Sequence, residues 1–150
     1  MTNDMTIVER LALARQSGDY QALFDVVPYS KVLGLTAKLE GNELITTMKF
    51  APHLIGNPSL PALHGGTVGA LLESAAVFEL LVRAETIVLP KTITLTVDYL
   101  RSGKPLDTHA RATVTRQGRR VTNVRVEAWQ EDRAVPVATA NAIFLVKPAE

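Results

Sequence analysis

Residues 63–81 read LHGGTVGALLESAAVFELL, and Glu73 stands near the middle with apolar neighbours on both sides. A carboxylate withdrawn from water without a partner costs several kcal/mol or takes up a proton, so this placement limits how the chain can fold and what it can do. The spacing predicts a helix from Gly65 to about Ala84. Its apolar residues run around the whole axis instead of forming one stripe, which marks a helix enclosed on most sides. Three and four residues from Glu73 stand Gly69, Ala70, Ala76 and Val77, so no basic partner lies on the same helix. Glu79 and Glu85, nearer the helix end, are expected to face solvent.

An enclosed helix needs something to enclose it, and the flanking segments supply strands. Leu33–Leu39 and Glu43–Phe50 are separated by the turn residues Glu40-Gly41-Asn42 and read as a hairpin. A loop with three prolines follows, APHLIGNPSLPA. Beyond Pro90, Ile93, Leu95, Val97 and Tyr99 alternate with Thr92, Thr94, Thr96 and Asp98, a strand period. Two more strands lie around DTHARATVTRQ and RVTNVRVEAWQ, joined at Gln117-Gly118-Arg119. A last strand runs over PVATANAIFLV, with Pro136 at its start or at an edge. Upstream, Thr6–Gln16 fits a short amphipathic helix closed by Ser17-Gly18-Asp19, and Tyr20–Val26 fits a further helical turn. The expected architecture is α+β, an antiparallel sheet of about six strands curled around one long central helix, with an extra N-terminal helix.

A chain of 150 residues, 47% of them hydrophobic, suits one core. Without cysteine it has no disulfide, thiolate metal site or cysteine nucleophile. His53 and His109 lack metal-ligand partners at useful spacing, so no metal is expected. The net charge of +1 argues against a general nucleic-acid binder. The balance is uneven, however: Arg101 to Arg125 holds seven Arg or Lys and one acid, Asp107, a basic patch scaled to a few phosphates. No signal-peptide core or membrane span is apparent, and a soluble cytoplasmic protein is expected.

Four pieces in order carry a family resemblance: HGG at His64–Gly66, a carboxylate nine residues after the histidine, TITLTVDYLRSG at Thr92–Gly103, and VTRQGRRVTNVRVEAW at Val114–Trp129. Over roughly Pro28–Val146 the chain resembles the hotdog-fold acyl-CoA thioesterases of the PaaI-like, phenylacetate-pathway type. This divides the chain into an N-terminal helical extension, residues 1–27, and a hotdog domain, residues 28–150. The resemblance implies hydrolysis of a small or medium acyl-CoA, with coenzyme A thioester as substrate and no other cofactor. It also implies a homodimer or a tetramer built from two such dimers.

Thioester hydrolysis needs a donor for the developing oxyanion and a group that attacks or activates water. Unpaired amides at a helix start, Gly65 or Gly66, suit the first task, and Glu73 the second. With a rise of about 1.5 Å per residue, Gly65 and Glu73 are roughly 12 Å apart, too far to share one carbonyl. The resemblance resolves this by running two helices antiparallel across a two-fold axis, so that each site takes its amide from one copy and its acid from the other.

The resemblance also makes His64 a residue positioned beside the donor, although it could equally be a capping or packing histidine. Asn57 would help hold the thioester carbonyl or water, although Asn57-Pro58 could simply turn the chain; it stands seven residues before His64, one more than in one branch of the family. Thr92 would orient the attacking water. Where another branch carries a helical threonine four residues after its acid, this chain has Val77. Arg101, Lys104, Arg116, Arg119 and Arg120 would meet the phosphates of coenzyme A, or else form a solvated hairpin surface. Two other outcomes would use the same fold: a non-catalytic acyl-CoA-binding or sensor protein, and a dehydratase, for which an Asp/His pair would be expected.

Overall fold

A computed structural model describes residues 5–84 and 89–146. Helix α1 (Ile7–Ser17) opens with a capping box in which Thr6 and Glu9 satisfy each other's backbone amides, and it stops at Gly18, whose φ of 75° ends the helix. Two short helices follow, α2 (Gln21–Asp25) and α3 (Pro28–Leu33). The second has Pro28 in its first turn and was not foreseen, because a six-residue helix is too short to show a period. Leu11, Ala14, Leu23 and Phe24 from α1 and α2 are buried in the same core as the rest of the chain.

Strands β1 (Leu35–Glu40) and β2 (Glu43–Met48) form the expected hairpin. Its two-residue turn places a positive φ of 60° on Gly41, where a side chain would be strained. The proline-rich stretch is more ordered than its composition suggests. After a 3₁₀ turn at Pro52–Leu54, β3 (Ile55–Asn57) and β4 (Ala62–Leu63) pair as a small ribbon that leads straight into α4 (Gly65–Arg83). Then come β5 (Lys91–Tyr99), β6 (Thr108–Gln117), β7 (Val121–Trp129) and β8 (Ala138–Leu145).

The main sheet has the order β1-β2-β6-β7-β8-β5, and every pairing is antiparallel. This is the hotdog fold, with α4 in the concave face. The face is floored with small side chains: Ala110 lies across from Ala128 and Ala128 from Ala138, and next along come Ala112, Val126 and Ala140, all buried. Alanine rows let a helix approach the backbone closely, so the sheet can bend around it, whereas a leucine there would force the layers apart at about 1–3 kcal/mol. On the helix's far flank Phe78 stacks on Phe24 of α2, ring centroids 3.7 Å apart. Ten of the nineteen residues of α4 are buried. It is apolar and long enough to cross a membrane by length and composition, yet here it forms the centre of the core.

Two features differ from the sequence reading. Among the described residues β5 pairs with β8 alone and forms an edge, and Ile93 and Tyr99, read as the apolar side of a strand alternation, are 53% and 55% exposed. Glu79 is not a solvated acid: its side chain is 12% exposed and pairs with Arg83 at 2.9 Å. A helix interior draws the aliphatic stem inward, and the i+4 arginine meets the carboxylate. Glu85 lies outside the described residues.

Candidate active site at the start of the central helix

The segment entering α4 is pinned on several sides. Leu63 N–H donates to Gly103 O at 2.9 Å, and His64 N–H donates to Leu54 O at 2.8 Å. Gly56 packs so tightly that a Cβ would lie 2.6 Å from His64 Cα. This backbone approach is open only to glycine. His64 is the N-cap, with extended backbone (φ −66°, ψ 128°), and its Nδ1 accepts from Gly66 N–H at 2.9 Å. Of the two readings of His64 the capping geometry is therefore present. His64 O accepts from Thr67 N–H at 3.0 Å and from the Thr67 hydroxyl at 2.6 Å.

These bonds separate the two candidate donors. Gly66 N–H is used by the cap, whereas Gly65 N–H has no hydrogen-bond partner among the described residues. The Gly65 amide also belongs to the peptide whose carbonyl, that of His64, is hydrogen-bonded twice by Thr67, which polarises the N–H opposite. Together with the helix dipole, this makes Gly65 N–H the electropositive point of the region.

A cleft of about 360 Å³ opens beside it, lined in part by Gly65, Val68, Tyr99, Arg101, Gly103 and Val137. Tyr99 ends β5, and its hydroxyl donates to Gly65 O at 2.7 Å. Sequence reading missed Tyr99, Thr67 and Gly56. Tyr99 was legible only as one more residue of a strand alternation, Thr67 and Gly56 only as members of a helix start and a loop.

Glu73 lies two turns further along α4, half-buried, with no ion pair or side-chain hydrogen bond to another described residue. It belongs to the stripe Ala70, Glu73, Ser74 and Val77, which is only partly covered while the flanking Leu71, Leu72, Ala75 and Ala76 are fully enclosed. The apolar setting read from the sequence is thus an uncovered helix face, not the interior of one chain. Asn57 closes β3, and its Oδ1 accepts from Ser59 N–H at 3.0 Å, so the turn-forming arrangement is present. Thr92 is exposed near the start of β5, seven residues and about 23 Å along the strand from Tyr99.

The basic residues do not form one patch within the chain. Arg101 and Lys104 follow β5 at the Gly65 end, and Arg101 lines the cleft. Lys104 pairs with Glu131 at 2.9 Å, both exposed. Arg116, Arg119 and Arg120 sit around the β6–β7 turn, at the other end of strands spanning about 25 Å. Adjacency in sequence misled because the ten residues of β6 carry the chain from one end of the sheet to the other between Lys104 and Arg116. Of the remaining basic residues, Arg111 and Arg133 both pair with Glu43, at 3.2 and 2.8 Å, and Arg133 also lies 4.7 Å above Trp129. The Arg133 hydrogen bond, aided by the charges of Arg111 and Arg133, holds the Glu43 carboxyl below its usual value against a smaller effect of burial. The partner shift raises Arg133. Among the described residues no three His, Cys, Asp or Glu side chains gather as a metal site.

Residues 57–145 match the family model described as an acyl-CoA thioesterase N-terminal domain. The medium/long-chain acyl-CoA thioesterase YigI of Escherichia coli K12 is 31% identical over 134 residues, covering 80% of this chain and 86% of its own length. A crystal structure of a Chromobacterium violaceum protein superposes with a TM-score of 0.77 at 37% identity, covering 95% of this chain and 99% of the other. The Escherichia coli PaaI protein from the phenylacetic acid degradation operon shares the fold, with a TM-score of 0.74 at 18% identity over 89% of this chain and 94% of its own.

Proposed function

We propose, for a chain that belongs to the acyl-CoA thioesterase family and is a thioester hydrolase, that it cleaves medium to long acyl-CoA at a centre shared by two copies. One copy supplies Gly65 N–H and the other Glu73. The chain length follows the name of YigI. The observation that carries the reading is the single open amide in a helix start where the surrounding polar groups are paired.

In this reading the thioester oxygen sits on Gly65 N–H in the cleft. Water adds to the carbonyl carbon and gives its proton to Glu73 of the second copy; the tetrahedral oxyanion draws its stabilisation from the Gly65 amide. Collapse breaks the C–S bond, the thiolate takes a proton, and acid and coenzyme A leave. Two uncovered surfaces support the shared centre: the Ala70–Val77 stripe, and β5 with its free edge and exposed Ile93 and Tyr99. Matching either to itself across a two-fold axis gives an isologous contact. Two such dimers would make the tetramer. In that arrangement the Arg116, Arg119 and Arg120 end of one copy comes toward the Arg101 cleft of the other, reuniting cations that one chain separates, where coenzyme A phosphates would be held. Asn57 and Thr92 act from the rim, on the carbonyl and the water. The N-terminal extension, residues 1–27, anchors the far end of α4 in the domain formed by residues 28–150.

The test uses a panel of acyl-CoAs with a thiol-detecting dye. Glu73→Gln is expected to lower kcat by about 10²–10⁴-fold. Mixing Glu73→Gln with Gly65→Pro subunits is expected to restore about one site per heterodimer. Confirmed heterodimers with no recovery would eliminate the shared centre. In single-turnover hydrolysis in ¹⁸O-water, label in Glu73 marks an anhydride opened at the Glu73 carbonyl, whereas label in the free acid alone fits either a base or an anhydride opened at the acyl carbonyl.

A further inference from the structure

The geometry points to Tyr99 as a positioning residue for the Gly65 amide, an inference that rests on the reading of Gly65 given above. The peptide joining Gly65 to Gly66 is held at both polar ends by side chains: its N–H by His64 Nδ1 at 2.9 Å, and its carbonyl by the Tyr99 hydroxyl at 2.7 Å. One clamp is local and the other arrives from the end of β5. The peptide before it is fixed through its carbonyl by Thr67, so only its N–H is left open.

Two consecutive glycines explain why such clamps are needed. Gly65 and Gly66 resist rotation less than other residues, and an oxyanion donor contributes only if it is already aimed when charge develops. The first glycine and a third, one turn on, lie directly against the phenol. A Cβ at Gly65 would meet the Tyr99 ring at 3.4 Å, and one at Gly69 would come within 3.3 Å of its hydroxyl. The ring itself is about half exposed and lines the cleft, so its hydroxyl could have turned to water. It binds the helix carbonyl instead.

Tyr99→Phe removes the hydroxyl and keeps the ring. The expected result is a kcat about tenfold lower, less than the ~10²–10³-fold loss from deleting a donor, with KM within about twofold and an unchanged thermal midpoint. In the same variant, without substrate, NMR amide exchange is expected to speed up at Gly66, whose N–H is held by His64, and nowhere outside the first turn. A wild-type kcat overturns the proposal, as does a loss confined to KM, a loss that follows a lowered midpoint, or unchanged exchange at Gly66. Gly65→Pro separates the two levels: if it retains full activity, the donor assignment fails, whereas an inactive Gly65→Pro beside a fully active Tyr99→Phe removes only the role of Tyr99.

Discussion

The two ends of α4 are finished in opposite ways. At the Gly65 end the polar groups are taken up by His64, Thr67 and, from β5, Tyr99, and one amide is left over. At the Arg83 end the helix's last carbonyls receive a cation from a different element: Arg15 of α1 donates to Leu81 O at 3.1 Å, to Val82 O at 3.4 Å and to Ala84 O. Arg83 turns away to pair with Glu79 and to reach Asn42 O. A guanidinium at a helix C-terminus satisfies both the unpaired carbonyls and the negative end of the dipole. One end is closed throughout, and the other leaves open one donor, the one proposed to meet the oxyanion. The difference between them is a single N–H.

Gly65→Pro tests that difference most severely. Proline is favoured in the first turn, the extended His64 before it already has the conformation that proline requires, and a Cβ at this position meets only ordinary contacts. The substitution therefore deletes the amide with little other change. Steady-state kinetics should show kcat lower by about 10²–10³-fold, with the thermal midpoint within a few degrees of wild type. A wild-type rate would erase the contrast between the ends.

Arg15→Met should do the reverse. It keeps the aliphatic stem and removes the cap, at about 1–2 kcal/mol, or roughly 3–6 °C in midpoint for a chain of this size, while kcat well below the transition stays at the wild-type level. A melting curve and an assay of the same sample would show whether stability and activity separate.

Glu43→Gln touches neither end and gives the smallest effect. Because the folded pKa of Glu43 lies below 4.5, its contribution to stability is present above 4.5 and disappears as pH falls through the lower folded value. The variant should be slightly less stable than wild type near neutral pH and indistinguishable from it in strong acid. Trp129, the sole tryptophan and in contact with Arg133, allows the titration to be followed by fluorescence.

Local signals made much of this legible in sequence. The enclosed helix comes from a long apolar run without a stripe, the first hairpin from its turn residues, and β5 from a spacing of 2 that packing respects. What escaped were contacts that depend on where a strand ends up. Tyr99 carries the same alternation as Ile93 and Val97, and only the sheet order places its hydroxyl on Gly65. The ribbon of Ile55–Asn57 with Ala62–Leu63 is too short to show a period among prolines. The basic residues looked like one patch because a linear string hides the length of β6, which carries the chain from Lys104 to the far end of the sheet before Arg116. Glu73 was read correctly as an acid among apolar neighbours, yet what leaves it partly open is a helix face that a single chain does not cover.

The outer strand bears on how this protein is made as well as on how it works. Along β5 one row of N–H and C=O groups has no neighbour among the described residues, in a segment rich in threonine, and such a row can be copied by any passing chain in an extended state. Lys91, Asp98 and the irregularity beside Ile93 interrupt it without hiding it. A freshly synthesised copy therefore carries a sticky seam until something occupies it, and strong overproduction at high temperature is the circumstance in which the wrong occupant arrives first.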